Sequence, residues 1–469
     1  MRDAISHIGE SPLQAITWLL VVGLSVWLLT TPYYFLAPLP GLAIPLMLFF
    51  GRRPAWGFLI IIFLVPFSGY TGVSDAYRFL TISKFIGIFM VGLSFLLLIV
   101  DGQHRLVLIR SNLWPWLLGF FAVNLVSASM SVNPDESYDF LRRTITDFSI
   151  VFLALFFVSD RIFTSTLPKV VIASTAISAA LSIFGFVFNI GLFAMNVNSE
   201  SVKRAVGATH DPNYFSAMLI FSLPLLVHFF IRAEKRSHKV LLGGVFLLNM
   251  SATILTYSRG GALILALVLV ILLAGQRKWV RPRHLGLIAA LAVMAALAGL
   301  FVVPSSYWAR QKTVTDAESD RSIGRRVSYL VVAWSAFKKH PLLGSGPETF
   351  KDLYQQTTYA RMFQKAGLTN RRAAHNAYVE VLVGTGLMGL AVFLAAIGRM
   401  WINFGRAVKR FKDRGLDELA SLAGAYRISF LTMLLSFLVL SANNHKYFWL
   451  CAGLSALSVR FAGESEAER

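Results

Sequence analysis

The sequence predicts an all-α polytopic integral membrane protein of about 12–14 transmembrane helices with a long helical extracytoplasmic loop. Two observations predict this class. Of 469 residues, 56% are hydrophobic and only 14% charged, against about 25% charged in a typical soluble domain. The apolar residues also gather in runs of membrane-spanning length. A disordered chain lacks this apolar content. Cys451 is the single cysteine, so no intrachain disulfide framework can form. Too little polar surface remains to clothe a soluble multidomain enzyme.

Spanning a bilayer as a helix takes roughly 17–25 mostly apolar residues. Fourteen segments qualify or come close, near 13–31, 36–50, 55–70, 82–100, 113–131, 145–159, 168–190, 213–232, 239–257, 260–275, 284–303, 376–400, 422–441 and 446–462. The second, third, sixth and tenth are short, which leaves twelve or thirteen as alternatives. The expected organisation is eleven spans over 1–303, an outer loop over 304–375, three spans over 376–462 and a cytoplasmic tail over 463–469. The first apolar stretch lacks a small-residue cleavage pattern and reads as an ordinary first span.

The formal net charge is +20, and its placement sets the expected orientation. With the N-terminus inside, Gly51–Arg53, Arg232–Lys239, Gln276–Arg283 and Arg399–Leu419 face the cytoplasm and carry 16 Lys and Arg. Cytoplasmic enrichment of this kind is the positive-inside rule. Residues 304–375 are different. They hold 12 Lys and Arg against 5 Asp and Glu, and long loops are exempt from that rule. Nucleic acid is excluded as a partner, since no binding module appears and the loop faces away from the cytoplasm.

Within the loop, Val327, Leu330, Val331, Trp334 and Phe337 recur at helical spacing, which predicts a helix from Ser322, as N-cap, to Pro341. Lys338, Lys339 and His340 suit the C-terminal end of its dipole. Arg321, Arg325 and Arg326 lie at the unfavourable end, where either an anionic ligand or the neighbouring Asp316, Glu318 and Asp320 would offset them. A second amphipathic stretch carries Phe350, Leu353, Tyr354 and Thr357, with Gly367 as its expected cap. Two such helices would lie in the membrane interface or roof a cavity there.

Three constellations on the outer side carry chemistry, because ionisable groups at membrane depth are costly. In Thr256-Tyr257-Ser258-Arg259-Gly260-Gly261, Arg259 sits between two apolar helices and two glycines permit close backbone approach. It reads as a bidentate phosphate ligand or as a snorkelling arginine at a tight hairpin. His375-Asn376 opens the next helix. The histidine suits proton transfer near neutral pH, while a polar helix entry with Asn376 as cap is the structural alternative. In Lys203-Arg204 and His210-Asp211-Pro212-Asn213, Asp211 or Asn213 is expected to cap a helix, which leaves Arg204 as the functional candidate. No metal site and no cofactor are expected: there is no HExxH motif, cysteine cluster, calcium loop, Walker A or Rossmann glycine pattern.

These residues carry a family resemblance. Ser258-Arg259-Gly260-Gly261-Ala262-Leu263 resembles the arginine motif of the O-antigen ligase superfamily. His375-Asn376, followed by Gly386-Leu387-Met388-Gly389, resembles its histidine signature. Arg326–Phe350, with Trp334, Pro341, Gly344 and Gly346, resembles the loop leading to that histidine, and Asp211-Pro212-Asn213 is similar to a segment of the group. The resemblance covers roughly residues 200–445. It implies a GT-C-like fold in the bacterial inner membrane, with the active site facing the periplasm. It also implies a metal-independent inverting glycosyltransferase that moves a glycan from undecaprenyl diphosphate to an acceptor hydroxyl. The acceptor would be lipid A–core for a WaaL-type ligase, a second lipid-linked glycan for a Wzy-type polymerase, or protein for an O-oligosaccharyltransferase. In that scheme His375 is the base. Arg259 holds the diphosphate, with Arg204, Arg325 and Arg326 as further ligands. A lipid-linked glycan transporter is the rival class, although no internal repeat of the kind transporters carry is apparent.

Overall fold

The computed structural model describes residues 12–31, 37–38, 41, 45, 49–68, 81–100, 105–191, 193–196, 203–209, 211–275, 321–363, 370–442 and 444–464. Its first half runs α1 (Pro12–Leu29), α2 (Ala55–Phe63), α3 (Ile82–Val100), α4 (Trp114–Ser129), α5 (Pro134–Phe157) and α6 (Leu167–Val187), the last preceded by a π-turn at Ile162–Thr166. A short antiparallel hairpin, β1 (Ala194–Asn196) and β2 (Lys203–Ala205), leads to α7 (Pro212–Arg232), α8 (Arg236–Leu255) and α9 (Arg259–Gly275). After the loop come α10 (Arg321–Lys339), α11 (Phe350–Gln355), α12 (Thr358–Met362), α13 (Ala377–Asp413), α14 (Asp417–Ser436) and α15 (Lys446–Glu464).

The protein is an all-α polytopic membrane protein. Among the described residues, six helices are long and apolar enough to cross a bilayer: α3, Ile162–Val187, α7, α8, α13 and α14. The expected spans over 284–303 and most of 36–50 lie outside the described residues, as do Asp316, Glu318, Asp320 and Gly367.

Several boundaries differ from the sequence expectation, each for a local reason. The segment at 55–70 is a helix of nine residues followed by a 3-10 turn at Val65–Phe67 that contains Pro66. At 1.5 Å per residue such a helix covers about 14 Å, short of a ~30 Å hydrocarbon core. The segment at 145–159 belongs to a longer helix. Asn133 caps α5 by accepting from the Glu136 amide, and the first ten residues are largely polar. Likewise α13 runs 37 residues, well beyond the apolar 376–400, into Arg406–Lys412. Helix α10 starts at Arg321, so Ser322 stands inside its first turn rather than at the N-cap. The expected second amphipathic stretch divides into α11 and α12, with Thr357 capping the latter by accepting from the Ala360 amide. The β-hairpin was not expected at all.

The bundle is knitted around α13, which packs on α4, α14 and α15, and around α7, which packs on α6, α8 and α14. One continuous apolar core includes Phe221, Phe393, Phe404, Phe430, Phe437 and Phe448. Several polar groups inside it find partners, as an apolar solvent favours. Asn112 and Asn403 exchange amide hydrogen bonds at 3.2 and 2.9 Å, Asn249 donates to Ser222 at 2.8 Å, and Tyr426 donates to the Phe163 carbonyl at 2.8 Å. Pro224 interrupts the α7 ladder, and Ser429 donates to the nearby Phe221 carbonyl at 2.7 Å.

Candidate active site

The candidate residues assemble at the end of the bundle where α7, α9 and α13 begin. Pro212 occupies the first turn of α7, where its missing N–H costs nothing. Asp211 is the extended N-cap, and its Oδ1 accepts from the amides of Asn213 at 2.7 Å and Tyr214 at 3.1 Å. Strand β2 delivers Arg204 to the same place. Its Nε donates to the Thr256 carbonyl at 2.7 Å and its Nη2 to Asn213 Oδ1 at 3.4 Å. Arg204 is only 4% exposed. It therefore acts first as a brace between the hairpin, the start of α7 and the link carrying Arg259.

That link is tightly wound. Tyr257 is buried and has φ of 51°, a left-handed conformation that costs a non-glycine residue about 1–2 kcal/mol. Ser258 caps α9 by accepting from the Gly261 amide at 3.0 Å. Gly260 packs against Val439 and Gly261 against Ser216, so a Cβ on Gly261 would stand 2.9 Å from Ser216 Cβ. The two glycines thus bring the start of α9 against α7 and the α14–α15 link. Arg259 is the first residue of α9, at the positive end of a helix dipole, where a cation favours an anionic partner.

His375 is held from both sides. It adopts φ of 52°, and the residues flanking it are anchored. Ala374 N donates to Glu380 Oε1 at 2.6 Å, and Ser441 donates to the same oxygen at 2.9 Å. Asn376 caps α13 by accepting from the Val379 amide at 3.1 Å and donates to the Leu438 carbonyl at 3.4 Å. Ala377 N donates to Phe437 O at 2.8 Å. The α14–α15 link, residues 437–445, therefore touches both the arginine motif, through Val439, and the histidine motif, through Leu438 and Ser441.

The glycines after the histidine have a physical role. Gly386 has φ of 64° and ψ of −162° and kinks α13. Loop residues 341–347 lie against this kink. Leu387 N bonds Pro341 O at 2.8 Å, Ser345 N bonds Val383 O at 2.9 Å and Gly346 N bonds Gly384 O at 3.0 Å. A Cβ on Gly386 would overlap the Leu342 carbonyl, and one on Gly344 would overlap the Gly384 backbone. The loop is thus laid on the histidine helix by backbone contact that only glycine allows.

Helix α10 covers the histidine. The Tyr329 ring lies 6.1 Å from the His375 ring and packs edge-on to Tyr354 at 4.9 Å. Tyr329, Val332, Ala333, Phe350 and Tyr354 form a separate small core under the loop. Four charged groups act on His375: Asp211, Arg326, Arg325 and Arg372. Burial pushes the imidazole below its usual pKa, Asp211 pulls it back, and the three arginines push it down again. The histidine is consequently neutral and able to accept a proton near pH 7. Tyr329 moves the other way, its hydroxyl pushed up by burial and by Tyr354, while a hydrogen bond with Arg372 opposes this.

The structure therefore brings His375, Asn376, Asp211, Asn213, Arg204, Arg325 and Arg326 to one end of the bundle. Arg259 is joined to them through the shared link. Arg321 opens α10, but its side chain lies outside the described residues. Sequence reasoning missed Glu380, Arg372 and Tyr329. Glu380 did leave a signal, being a lone carboxylate at the start of an apolar helix. Among the described residues no three His, Cys, Asp or Glu stand together as a metal site.

Residues 244–394 match the family model Wzy_C, described as O-antigen ligase. The chain carries an O-antigen ligase domain over these residues, which supports membership of that superfamily. The ligase-family domain starts within α8 and runs through Arg259, α10 and His375 to Gly389 and beyond, so both motifs lie inside it. It supports an O-antigen ligase- or polymerase-like function. Asp211 and Arg204 lie before the matched stretch, yet they pack onto it. No curated protein matches the chain.

Proposed function

We propose that this protein is an inverting glycosyltransferase that moves a glycan from undecaprenyl diphosphate to an acceptor hydroxyl at the periplasmic face of the bacterial inner membrane. The observation that carries this reading is the environment of His375. A half-buried imidazole, its pKa held below the usual histidine value, lies in the field of one carboxylate, Asp211, and three guanidinium groups, Arg325, Arg326 and Arg372.

In the reaction, the acceptor oxygen attacks the anomeric carbon while His375 takes its proton as general base. The new O–C bond forms as the bond between the anomeric carbon and the diphosphate oxygen breaks, and the electron pair leaves with the diphosphate. Asp211 stabilises the imidazolium that results, as a carboxylate orients the base in other proton-transfer sites. Negative charge growing on the leaving group is met by Arg259, Arg325 and Arg326, fixed in place before the reaction. Arg204 supports Arg259 by holding the Thr256 carbonyl. Direct displacement inverts the anomeric centre, and the arginines supply the positive charge that a metal supplies elsewhere.

The favoured acceptor is that of a ligase, lipid A–core. A lipid-linked glycan acceptor would make the protein a Wzy-type polymerase. The glycan profile of a deletion strain separates the two: loss of attachment marks a ligase, and loss of chain length marks a polymerase. Purified protein that moves lipid-linked glycan across vesicles without transferring it would replace this reading with transport.

A further inference from the structure

The end of the bundle away from His375 carries an arginine that lies across to a neighbouring helix. Arg427 is the one charged residue of α14 after Glu418. Its guanidinium carbon stands 3.9 Å from the centre of the Trp401 ring on α13. A Cβ on Gly405, one turn further along α13, would be 3.6 Å from Cζ, Nη1 and Nη2 alike. The guanidinium therefore lies flat along α13, over the indole and over the bare backbone of Gly405. Arginine stacks on an aromatic face in this way while its N–H edge stays open to a partner. A snorkelling arginine instead runs out to water along its own helix. Among the described residues no carboxylate pairs with Arg427, and its Nε is buried without a hydrogen-bond partner.

The pair stands at a membrane boundary. Trp401 lies about 36 Å along α13 from Ala377, a little more than a ~30 Å hydrocarbon core. Past it the helix turns basic, with Arg406, Lys409, Arg410 and Lys412. On the near side, Leu394 and Ile402 are each 46% exposed, and a Cβ on Gly398 meets nothing within 4 Å. By helical spacing these share the stripe of α13 that carries Trp401 and Gly405. Lys409 continues the stripe one turn beyond Gly405 and is exposed. The short link at residues 414–416 makes α13 and α14 antiparallel. With Gly405 facing Arg427, Gly424 falls beside Lys409, and a Cβ there also meets nothing within 4 Å. The surface thus reads as an apolar strip, an indole, and an open floor between two cations. Asp413, Asp417 and Glu418 stand at the tip of the hairpin, and among the described residues none pairs with Lys409 or Arg427.

We infer that this surface binds the phosphate of an anionic phospholipid in the leaflet opposite the reaction site. Arg427 holds the phosphate through its N–H edge, as a planar fork suited to two oxygens. Lys409 supplies a second cation, and Leu394 and Ile402 lie along the acyl chains. Ionisable groups at membrane depth call for a partner, and an anion is the partner that Arg427 lacks inside the protein. A zwitterionic headgroup would set its own cation between Lys409 and Arg427. A headgroup without one, such as phosphatidylglycerol, fits. The membrane is the source rather than soluble phosphate, because the apolar strip runs on directly from the indole and Trp marks the headgroup level. The site is independent of the reaction proposed at His375.

The test places full-length protein in nanodiscs of phosphatidylcholine and phosphatidylglycerol in equal amounts. Lipid retained on the released protein is then counted by native mass spectrometry. Wild type should keep phosphatidylglycerol in preference to phosphatidylcholine. Arg427→Gln should lower that preference about tenfold, the factor carried by a lost charge-assisted hydrogen bond. Arg236 is exposed at the same end of the bundle, where Arg232 donates to the Asp417 carbonyl, and Arg236→Gln should leave the preference unchanged. Gly424→Leu fills the floor, keeps Arg427 and should also lower the preference. It decides the matter if thermal unfolding shows that Arg427→Gln does not fold. Excess inorganic phosphate should leave the retained lipid in place. An unchanged preference in folded Arg427→Gln, or in Gly424→Leu, would overturn the site. So would an equal loss in Arg236→Gln, since the basic surface as a whole would then attract the lipid. Displacement of the lipid by inorganic phosphate would make the ligand a free phosphate and overturn the lipid assignment.

Discussion

The Glu380 carboxylate accepts the amide of Ala374 at 2.6 Å, and so fixes the residue immediately before His375. The same oxygen accepts from Ser441, which ties the histidine to the link that also touches the arginine motif. Glu380 is a positioning residue, and the two substitutions that probe it should separate. Glu380→Gln keeps an acceptor oxygen and should retain most activity. Glu380→Ala leaves the Ala374 amide without its acceptor, at about 1–3 kcal/mol, and should lower kcat while the protein still inserts. Equal loss in both variants would mean that the negative charge itself matters.

The pH dependence of transfer should report His375. Burial and three arginines hold its pKa below the usual histidine value, so the base is in its active, neutral form at neutral pH, and activity should fall only as pH drops below the ordinary histidine range. Asp211 raises that pKa, so Asp211→Asn should move the acid limb to lower pH. Arg325 and Arg326 lower it, so Arg325→Gln or Arg326→Gln should move the limb to higher pH. Shifts of the opposite sign in a kcat/KM profile would remove His375 as the titrating base.

Backbone contact between loop and helix predicts a contrast among the glycines of α13. Gly386 sits in a region of φ and ψ open essentially to glycine, and the Leu342 carbonyl occupies the space of its Cβ. Gly386→Ala should cost roughly 2–3 kcal/mol and should free the loop, seen as faster amide exchange over 341–347. Gly398 meets nothing within 4 Å, so Gly398→Ala should be neutral or stabilise by about 0.5–1 kcal/mol.

The loop is also pinned to α5 by charge. Glu136 bonds Lys351 at 2.6 Å and Arg371 at 2.9 Å, and Arg371 also pairs with Asp352 at 2.5 Å. Burial raises the Glu136 pKa somewhat, but hydrogen bonds from Lys351 and Arg371 outweigh it and hold the carboxyl below the usual range. A depressed carboxylate stabilises the fold above its unfolded pKa, and that stability is lost as pH falls through the folded value. Glu136→Gln should therefore lower the thermal midpoint at neutral pH by the equivalent of about 1 kcal/mol, and the difference from wild type should vanish in acid. A constant difference at all pH values would assign the effect to packing.

What the sequence makes legible is what local rules decide. Asp211 and Asn376 are caps because a short side-chain acceptor before a helix leaves few alternatives. Arg259 and His375 stand out because charge between apolar runs is costly. Glu380, Arg372 and Tyr329 were missed as members of the site, since their roles depend on partners far along the chain: Ser441 for Glu380, and α10 brought over His375 for the other two. Arg204 was legible as important but not as a brace, because nothing local to β2 announces the Thr256 carbonyl. Helix lengths were misjudged where the polar half of a helix leaves the membrane, as in α5 and the end of α13. Apolar runs mark what lies in lipid rather than where hydrogen bonding stops.

The central claim is that His375 and Arg259 carry glycan transfer from a lipid diphosphate. The most direct test is transfer by purified protein given undecaprenyl diphosphate-linked glycan and acceptor, with wild type, His375→Ala, Arg259→Ala and Arg259→Lys compared at equal insertion and equal thermal midpoint. The account predicts activity in wild type and none in either alanine variant. It predicts poor rescue by Arg259→Lys, because an ammonium lacks the bidentate fork. Normal transfer by well-inserted His375→Ala protein would contradict it.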